Sequence, residues 1–221
     1  MSSDFRSTLW TEVLRAGDGH LSALQRLCET YWKPVYAYVR CKGYAAEDAE
    51  DRTQGFFVHL LEKELLARVE SGRGRFRNYL ITVVEYYLAN EYRKDQARKR
   101  IVEIAGAERE ITEGPEKPEE AYRRAWMLTV LEQAFAALRR EFESKGLQGQ
   151  FEAVRSHLSA AHDRPSYEDL AGRLGGSVSD VTNLLHRSRN RLREHLRAVL
   201  RETVSTEAEV DSEIRELFSG P

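Results

Sequence analysis

The sequence predicts an all-α protein: two helical domains joined by an acidic linker, the C-terminal one a helix-turn-helix domain. Three observations predict it. Apolar residues recur at three- and four-residue spacing along most of the 221 residues, while the β signal is nearly absent. Glycines, prolines and capping pairs punctuate these periodic runs. Residues 101–121, IVEIAGAEREITEGPEKPEEA, lose the periodicity and gain Gly114, Pro115 and Pro118, which marks a linker. The boundaries that follow are 1–100 for a first helical domain, 101–121 for the linker, 122–200 for a second helical domain and 201–221 for a C-terminal extension. A hydrophobic content of 41% is adequate for compact cores at this length.

In chain order, Phe5, Leu9, Val13 and Leu14 predict a first helix ending near Gly17 to Gly19, and Leu21, Leu24, Leu27 and Tyr31 a second. Pro34 either kinks that second helix or opens the next, whose buried face is Val35, Tyr36 and Val39. Gly43 ends it. In AAEDAEDRTQGFFVHLLEKELL (45–66), Phe56, Phe57, Leu60 and Leu61 are expected to face inward, with Glu47, Asp48, Glu50, Asp51 and Gln54 along the first turns, where the helix dipole favours acids. SGRGR (71–75) is a turn, and FRNYLITVVEYYLANEYRKDQARKR (76–100) follows as one long helix. Its Leu80, Val83, Val84, Tyr87 and Leu88 pack inward, leaving Asn78, Tyr79, Tyr86, Asn90 and Arg93 more exposed.

Beyond the linker, Trp126, Val130, Leu131, Phe135 and Leu138 predict a helix from about Tyr122 to Phe142, and Val154 a shorter one near Phe151 to Leu158. Ser166 followed by Asp169 is a capping-box-like start for a helix carrying Tyr167, Leu170, Ala171 and Leu174, which Gly175 and Gly176 stop. Ser177 or Ser179 caps the next helix, whose apolar face is Val178, Val181, Leu184, Leu185 and Leu192. Two short helices joined through a glycine turn, with room only for a small side chain at Ala171, make a helix-turn-helix candidate. At the end, Thr206 with Glu209 caps a helix bearing Val210, Ile214, Leu217 and Phe218 on one side.

Charge narrows the function. The formal net charge is only −2, yet basic residues concentrate in 92–100 and 187–201, while Glu103, Glu108, Glu110, Glu113, Glu116, Glu119 and Glu120 crowd the segment between. The far side of the second short helix carries Thr182, Asn183, His186, Arg187, Ser188, Arg189, Asn190, Arg191 and Arg193, a donor-rich face suited to a DNA major groove. Rings interleaved with amides and followed by a basic tail, as in 76–100, fit single-stranded nucleic acid, because every base has a face to stack on. Both features also occur on ordinary core helices with a solvated basic side.

Other classes find less support. No apolar run approaches a membrane span, and the N-terminus has neither the basic start nor the apolar core of a signal peptide, so a cytoplasmic protein is expected. Cys28 and Cys41 are spaced unlike a zinc or redox motif and are expected to be small buried hydrophobes. His157 and His162 are five apart, not the three or four that share a helical face, and there is no glycine-rich phosphate loop or nucleophile motif. An enzyme, a metal and a cofactor are therefore not expected.

Taken together, Asp48-Ala-Glu-Asp51-Arg-Thr-Gln54-Gly-Phe56-Phe57, the helix from Phe76 through Arg93 and the pair from Pro165 to Arg193 resemble the bacterial RNA polymerase sigma factors of the extracytoplasmic-function type, in the sigma-70 family. The resemblance covers roughly residues 20–100 and 122–200. It implies a promoter-specificity subunit whose partners are core RNA polymerase, through the β′ clamp helices and the β flap, and promoter DNA. Asp48, Asp51, Gln54, Phe56 and Phe57 would bind the polymerase; Asn78, Tyr79, Tyr86, Asn90, Arg93 and Lys94 would capture the −10 element; Thr182, Asn183, His186 and Arg187 would face the −35 bases, with Arg189 and Arg191 nearer phosphates. No cofactor is implied.

The rival is a conventional helix-turn-helix regulator that binds duplex DNA without polymerase, which has no need of the aromatic helix at 76–100. An anti-sigma factor or a regulatory kinase is a further candidate partner, with Thr53 as a modification site. Since the linker is acidic and both reading faces are basic, the linker or the tail helix is expected to shield a DNA-binding face in the free protein.

Overall fold

The computed structural model describes residues 21–62, 75–101, 116–159, 164–204 and 206–218, which hold eight helices and no strand. They are α1 (Leu21–Cys41), α2 (Ala46–Glu62), α3 (Phe76–Ile101), α4 (Pro118–Ser144), α5 (Gln148–Leu158), α6 (Tyr167–Leu174), α7 (Val178–Arg201) and α8 (Glu207–Phe218). The helix expected near Phe5 to Leu14, residues 71–74 of the SGRGR turn and residues 102–115 of the acidic stretch lie outside the described residues.

The described residues form two compact units. Unit 1 takes those up to Thr129 together with those from Arg201 onward; unit 2 is Val130–Leu200. Helix α4 begins at Pro118, inside the stretch read as linker, with proline at a first helical position and Glu119 and Glu120 in the first turn. Its first half belongs to unit 1 and its second half to unit 2. The tail helix α8, which follows the whole of Val130–Leu200 in the chain, belongs to unit 1 too.

Unit 1 is built around aromatic residues. Pro34 neither ends nor divides a helix: α1 runs through it, because Leu27, Tyr31, Val35, Tyr38 and Val39 make one unbroken buried stripe on both sides of the missing N–H. Tyr31 stacks on Trp126 of α4 with ring centroids 5.0 Å apart and meets Phe76 of α3 edge-on at 5.2 Å. Gly55 lets α2 approach α3, since a Cβ there would collide with the Tyr87 hydroxyl. Beside that contact Arg52 donates to Glu91 at 2.8 Å and to Asp95, tying the same two helices together. Cys28 and Cys41 are free thiols and only partly buried.

Unit 2 has its own core. Leu138, Phe142 and Phe151 form one cluster, and Val154, Leu170, Ala171, Val181 and Leu185 another, to which Tyr167 and Leu174 add partly buried surface. Ala171 is 7% exposed, consistent with a position that admits only a small side chain.

Candidate nucleic-acid interface

In unit 1 the long helix α3 sorts its residues by phase. Leu80, Val84, Tyr87 and Leu88 are buried, while Asn78, Thr82, Tyr86, Arg93 and Lys94 are exposed and Tyr79 and Asn90 half-buried. At 3.6 residues per turn, all six residues expected on the −10 face fall within about 80° of Tyr86. Tyr86 is 65% exposed, so its ring face is open to a stacking partner. Asn90 accepts from Arg93 at 2.9 Å, and Lys94 is drawn to Glu91 at 2.6 Å. The stripe thus offers one open ring, another partly covered by Phe76 at 6.1 Å, amides between them and cations at the far end.

Helix α2 requires a correction. Phe56 and Phe57 are 0% and 4% exposed, against Tyr87 and Trp32, and are core residues that no partner can touch. Leu61, expected inside, is 38% exposed, and Val58 is 46% exposed. Glu47, Asp51, Gln54, Val58 and Leu61 are all exposed and succeed one another by three or four residues, giving one stripe that is acidic and polar at its start and apolar at its end. Stepping by three and four from Asp51 would have found it; the run FFVHLL hid it by being apolar at every position but His59. Asp48 is half-buried beside this stripe. Thr53 is fully buried and donates to the Ala49 carbonyl at 2.7 Å, so a kinase cannot reach it in the folded chain.

In unit 2 the sequence motifs become geometry. Ser166 and Asp169 make a complete capping box at the start of α6, and Gly175 ends that helix with φ of 66°, the left-handed conformation glycine accepts. Ser177 and Asp180 form a second box: Asp180 N–H donates to Ser177 Oγ at 3.2 Å and Ser177 N–H donates to Asp180 Oδ2 at 2.9 Å. The serine hydrogen bonds hold both carboxyl groups below the usual aspartate range. Helix α7 therefore starts at a fixed place, with Thr182, Asn183, His186, Arg187 and Arg189 exposed. Thr182 donates to the Val178 carbonyl at 2.9 Å.

Arg191 does not join them. Its guanidinium grips Glu141 of α4 at 2.8 and 3.0 Å and also meets Glu194. Glu141 accepts from Lys145 at 2.6 Å as well and pairs with His195 at 2.8 Å. These hydrogen bonds, Arg191 foremost and against the effect of burial, push the Glu141 carboxyl down to about 2. By helical phase Arg191 stands about 140° around α7 from His186, so it braces α7 on α4. Arg193 stands about 20° from His186, is exposed and donates to Asn190 at 3.1 Å, which puts it in the middle of the face.

Among the described residues no helix is long and apolar enough to cross a membrane. No family model and no solved structure matches the chain. It is 25% identical over 177 residues to the RNA polymerase sigma factor YlaC of Bacillus subtilis (strain 168), an alignment that covers 80% of this chain and 94% of that protein. An alignment of that length exceeds either compact unit and takes in residues of both. The chain is therefore similar, over most of its length, to an RNA polymerase sigma factor.

Proposed function

We propose that this protein is a sigma factor of the extracytoplasmic-function type, which binds core RNA polymerase in the cytoplasm and directs initiation at a two-part promoter. The observation that carries the proposal is that one chain exposes two donor-rich helix faces of different kinds in two separate units, one bearing an open ring and amides and the other amides and cations. The α3 stripe, with the open ring of Tyr86, suits flipped-out bases of a melted −10 element; unstacking costs a few kcal/mol, which stacking and pocket contacts offset. The α7 face, with Thr182, Asn183, His186, Arg187, Arg189 and Arg193, suits the edges and phosphates of a duplex −35 element. The stripe of Asp51, Gln54, Val58 and Leu61 on α2 is the surface assigned to the β′ clamp helices, and unit 2 meets the β flap. The similarity to YlaC supports this reading because it spans both units.

The test is run-off transcription with purified core polymerase on fragments of the source genome, with and without the protein. New discrete transcripts are expected. Silence together with tight, polymerase-independent binding to a duplex site would establish the helix-turn-helix regulator instead. Asp51→Arg with Gln54→Ala is expected to abolish capture of core polymerase in a pull-down while leaving duplex binding through α7 intact; retained capture removes the α2 assignment.

A further inference from the structure

Hydroxyls inside a helix ordinarily find a carbonyl. Thr53, Thr129 and Thr182 each donate to the carbonyl four residues back, at 2.7, 2.9 and 2.9 Å. Ser188, in the middle of α7, does not: it is 1% exposed, and its Oγ is buried without a hydrogen-bond partner. A hydroxyl shut away from water in this state costs stability until something supplies its partner. Ser188 lines a cavity of about 610 Å³ within unit 2, bounded by the end of α4, the first turn of α5 and the middle of α7. That volume is ordinary for a small-molecule site.

The cavity is apolar on one part of its wall and positive on another. Phe142, Leu147 and Leu184 supply the apolar surface. Lys145, Arg187 and Arg191 bring three cations to it, against the one carboxylate of Glu141. Lys145 and Arg191 already hold that carboxylate at 2.6 and 2.8 Å. Arg187 is exposed and, among the described residues, forms no ion pair. The start of α5 adds charge of the same sign: Leu147 stands at its N-cap without a side-chain hydrogen bond, and no acidic residue follows in the first turn. The positive end of that helix dipole thus meets no counter-charge from its own helix, and Leu147 and Gln150 beside it both line the cavity.

We propose that this cavity binds a small organic anion, an acidic oxygen group on an apolar body. The body lies on Phe142, Leu147 and Leu184, Lys145 and Arg187 hold the charge, and Ser188 donates to the ligand. Arg187 also stands at the edge of the α7 face, about 100° around the helix from His186. A ligand that takes Arg187 therefore withdraws one cation from duplex DNA, and ligand and duplex weaken each other's binding by the same factor. This coupling rests on the −35 reading of α7; the site itself does not.

The probe is 1-anilinonaphthalene-8-sulfonate, an acidic group on an apolar body, titrated by fluorescence into the full-length chain; its uncharged counterpart N-phenyl-1-naphthylamine is the control. Saturable binding of the anion at one site is expected. Lys145→Gln with Arg187→Gln should weaken it at least about tenfold and leave binding of the uncharged dye as it was. Ser188→Ala should weaken the anion about fivefold, yet leave the melting temperature of the unloaded protein unchanged or raised, because it removes an unpaired buried hydroxyl. No saturable binding of the anion, or an affinity that the Lys145 and Arg187 changes do not move, overturns the site. A Ser188→Ala protein that melts lower and binds the anion as before gives the hydroxyl a structural role and overturns its part. The coupling is read by anisotropy of a Cy5-labelled, mixed-sequence duplex: saturating anion is expected to weaken duplex binding and lower the slope of log affinity against log salt by about 1. Duplex binding unchanged at saturation removes the coupling and leaves the site. If the chain binds no duplex even without the dye, the −35 reading of the free protein falls, and the dye titrations still decide the site.

Discussion

Two arginines two positions apart on α7 have opposite tasks, and the difference is measurable. Arg193 is aimed outward beside His186, so Arg193→Ala should weaken DNA binding across sequences and reduce the slope of log affinity against log salt by about 1, the signature of one lost phosphate contact. Arg191 is committed to Glu141, so Arg191→Ala should leave that slope unchanged and lower the stability of unit 2. Binding titrations at several salt concentrations separate the two. Glu141 itself predicts a pH effect whose sign is fixed. Its carboxyl titrates lower in the folded chain than in the unfolded one, at about 2 against an ordinary value of 4.5. The stability it contributes is therefore complete above about pH 4.5 and is lost as pH falls towards 2. Urea unfolding across that interval should show this loss in the unmodified protein and a smaller one in Glu141→Gln. At neutral pH that variant should be less stable by about 1–2 kcal/mol, the lower part of the range for charged hydrogen bonds because Arg191 is half exposed.

At the scale of the element, helix starts were legible because their signals are local. The capping boxes of α6 and α8 need only the side chain three residues on and form as the spacing predicts, while at α7 the cap is Ser177 rather than Ser179, completed by Asp180. Ser177→Ala, which removes the box of α7, should cost about 1 kcal/mol in thermal unfolding and loosen the first turn of that helix, just before Thr182 and Asn183. Helix faces were legible only where the pattern was clean. In α3 Leu80, Val84, Tyr87 and Leu88 are buried on one side as the spacing predicts, and the exposed stripe of Asn78, Tyr86, Arg93 and Lys94 could be drawn before any coordinates. In α2 the run Phe56 to Leu61 is apolar around most of the circumference, His59 apart, so the inward side was decided by neighbours far along the chain: Trp32 on α1 and Tyr87 on α3. That is why Phe56 and Phe57 moved to the core and Val58 and Leu61 to the surface. The Arg191 pairing, 50 residues distant in sequence, was hidden for the same reason.

At the scale of the molecule, sequence order and spatial order part at the tail. Residues 201–221 read as an appendage because nothing nearby explains their apolar stripe; their partners, Arg75 and Arg77, lie 136 to 141 residues away. Val210 and Leu217 are buried, and Glu213 is more deeply enclosed than most acids ever are. A helix held this way should stabilise the unit it completes and no other. Burying two such aliphatic side chains is worth about 1.5–3 kcal/mol each, against which stands the entropy of ordering the segment. Deleting 206–221 should therefore speed amide exchange in α1 and in the first half of α4 by about tenfold, a change of about 1.4 kcal/mol in local opening. Exchange across 167–200 should stay as it was, because the clusters around Leu138 and Leu185 contain no tail residue. Equal acceleration in both regions would mean that the tail supports the chain as a whole. Acceleration confined to α1 and α4 would mean that unit 1 is assembled from two distant stretches of chain, the last helix holding the first stretch closed.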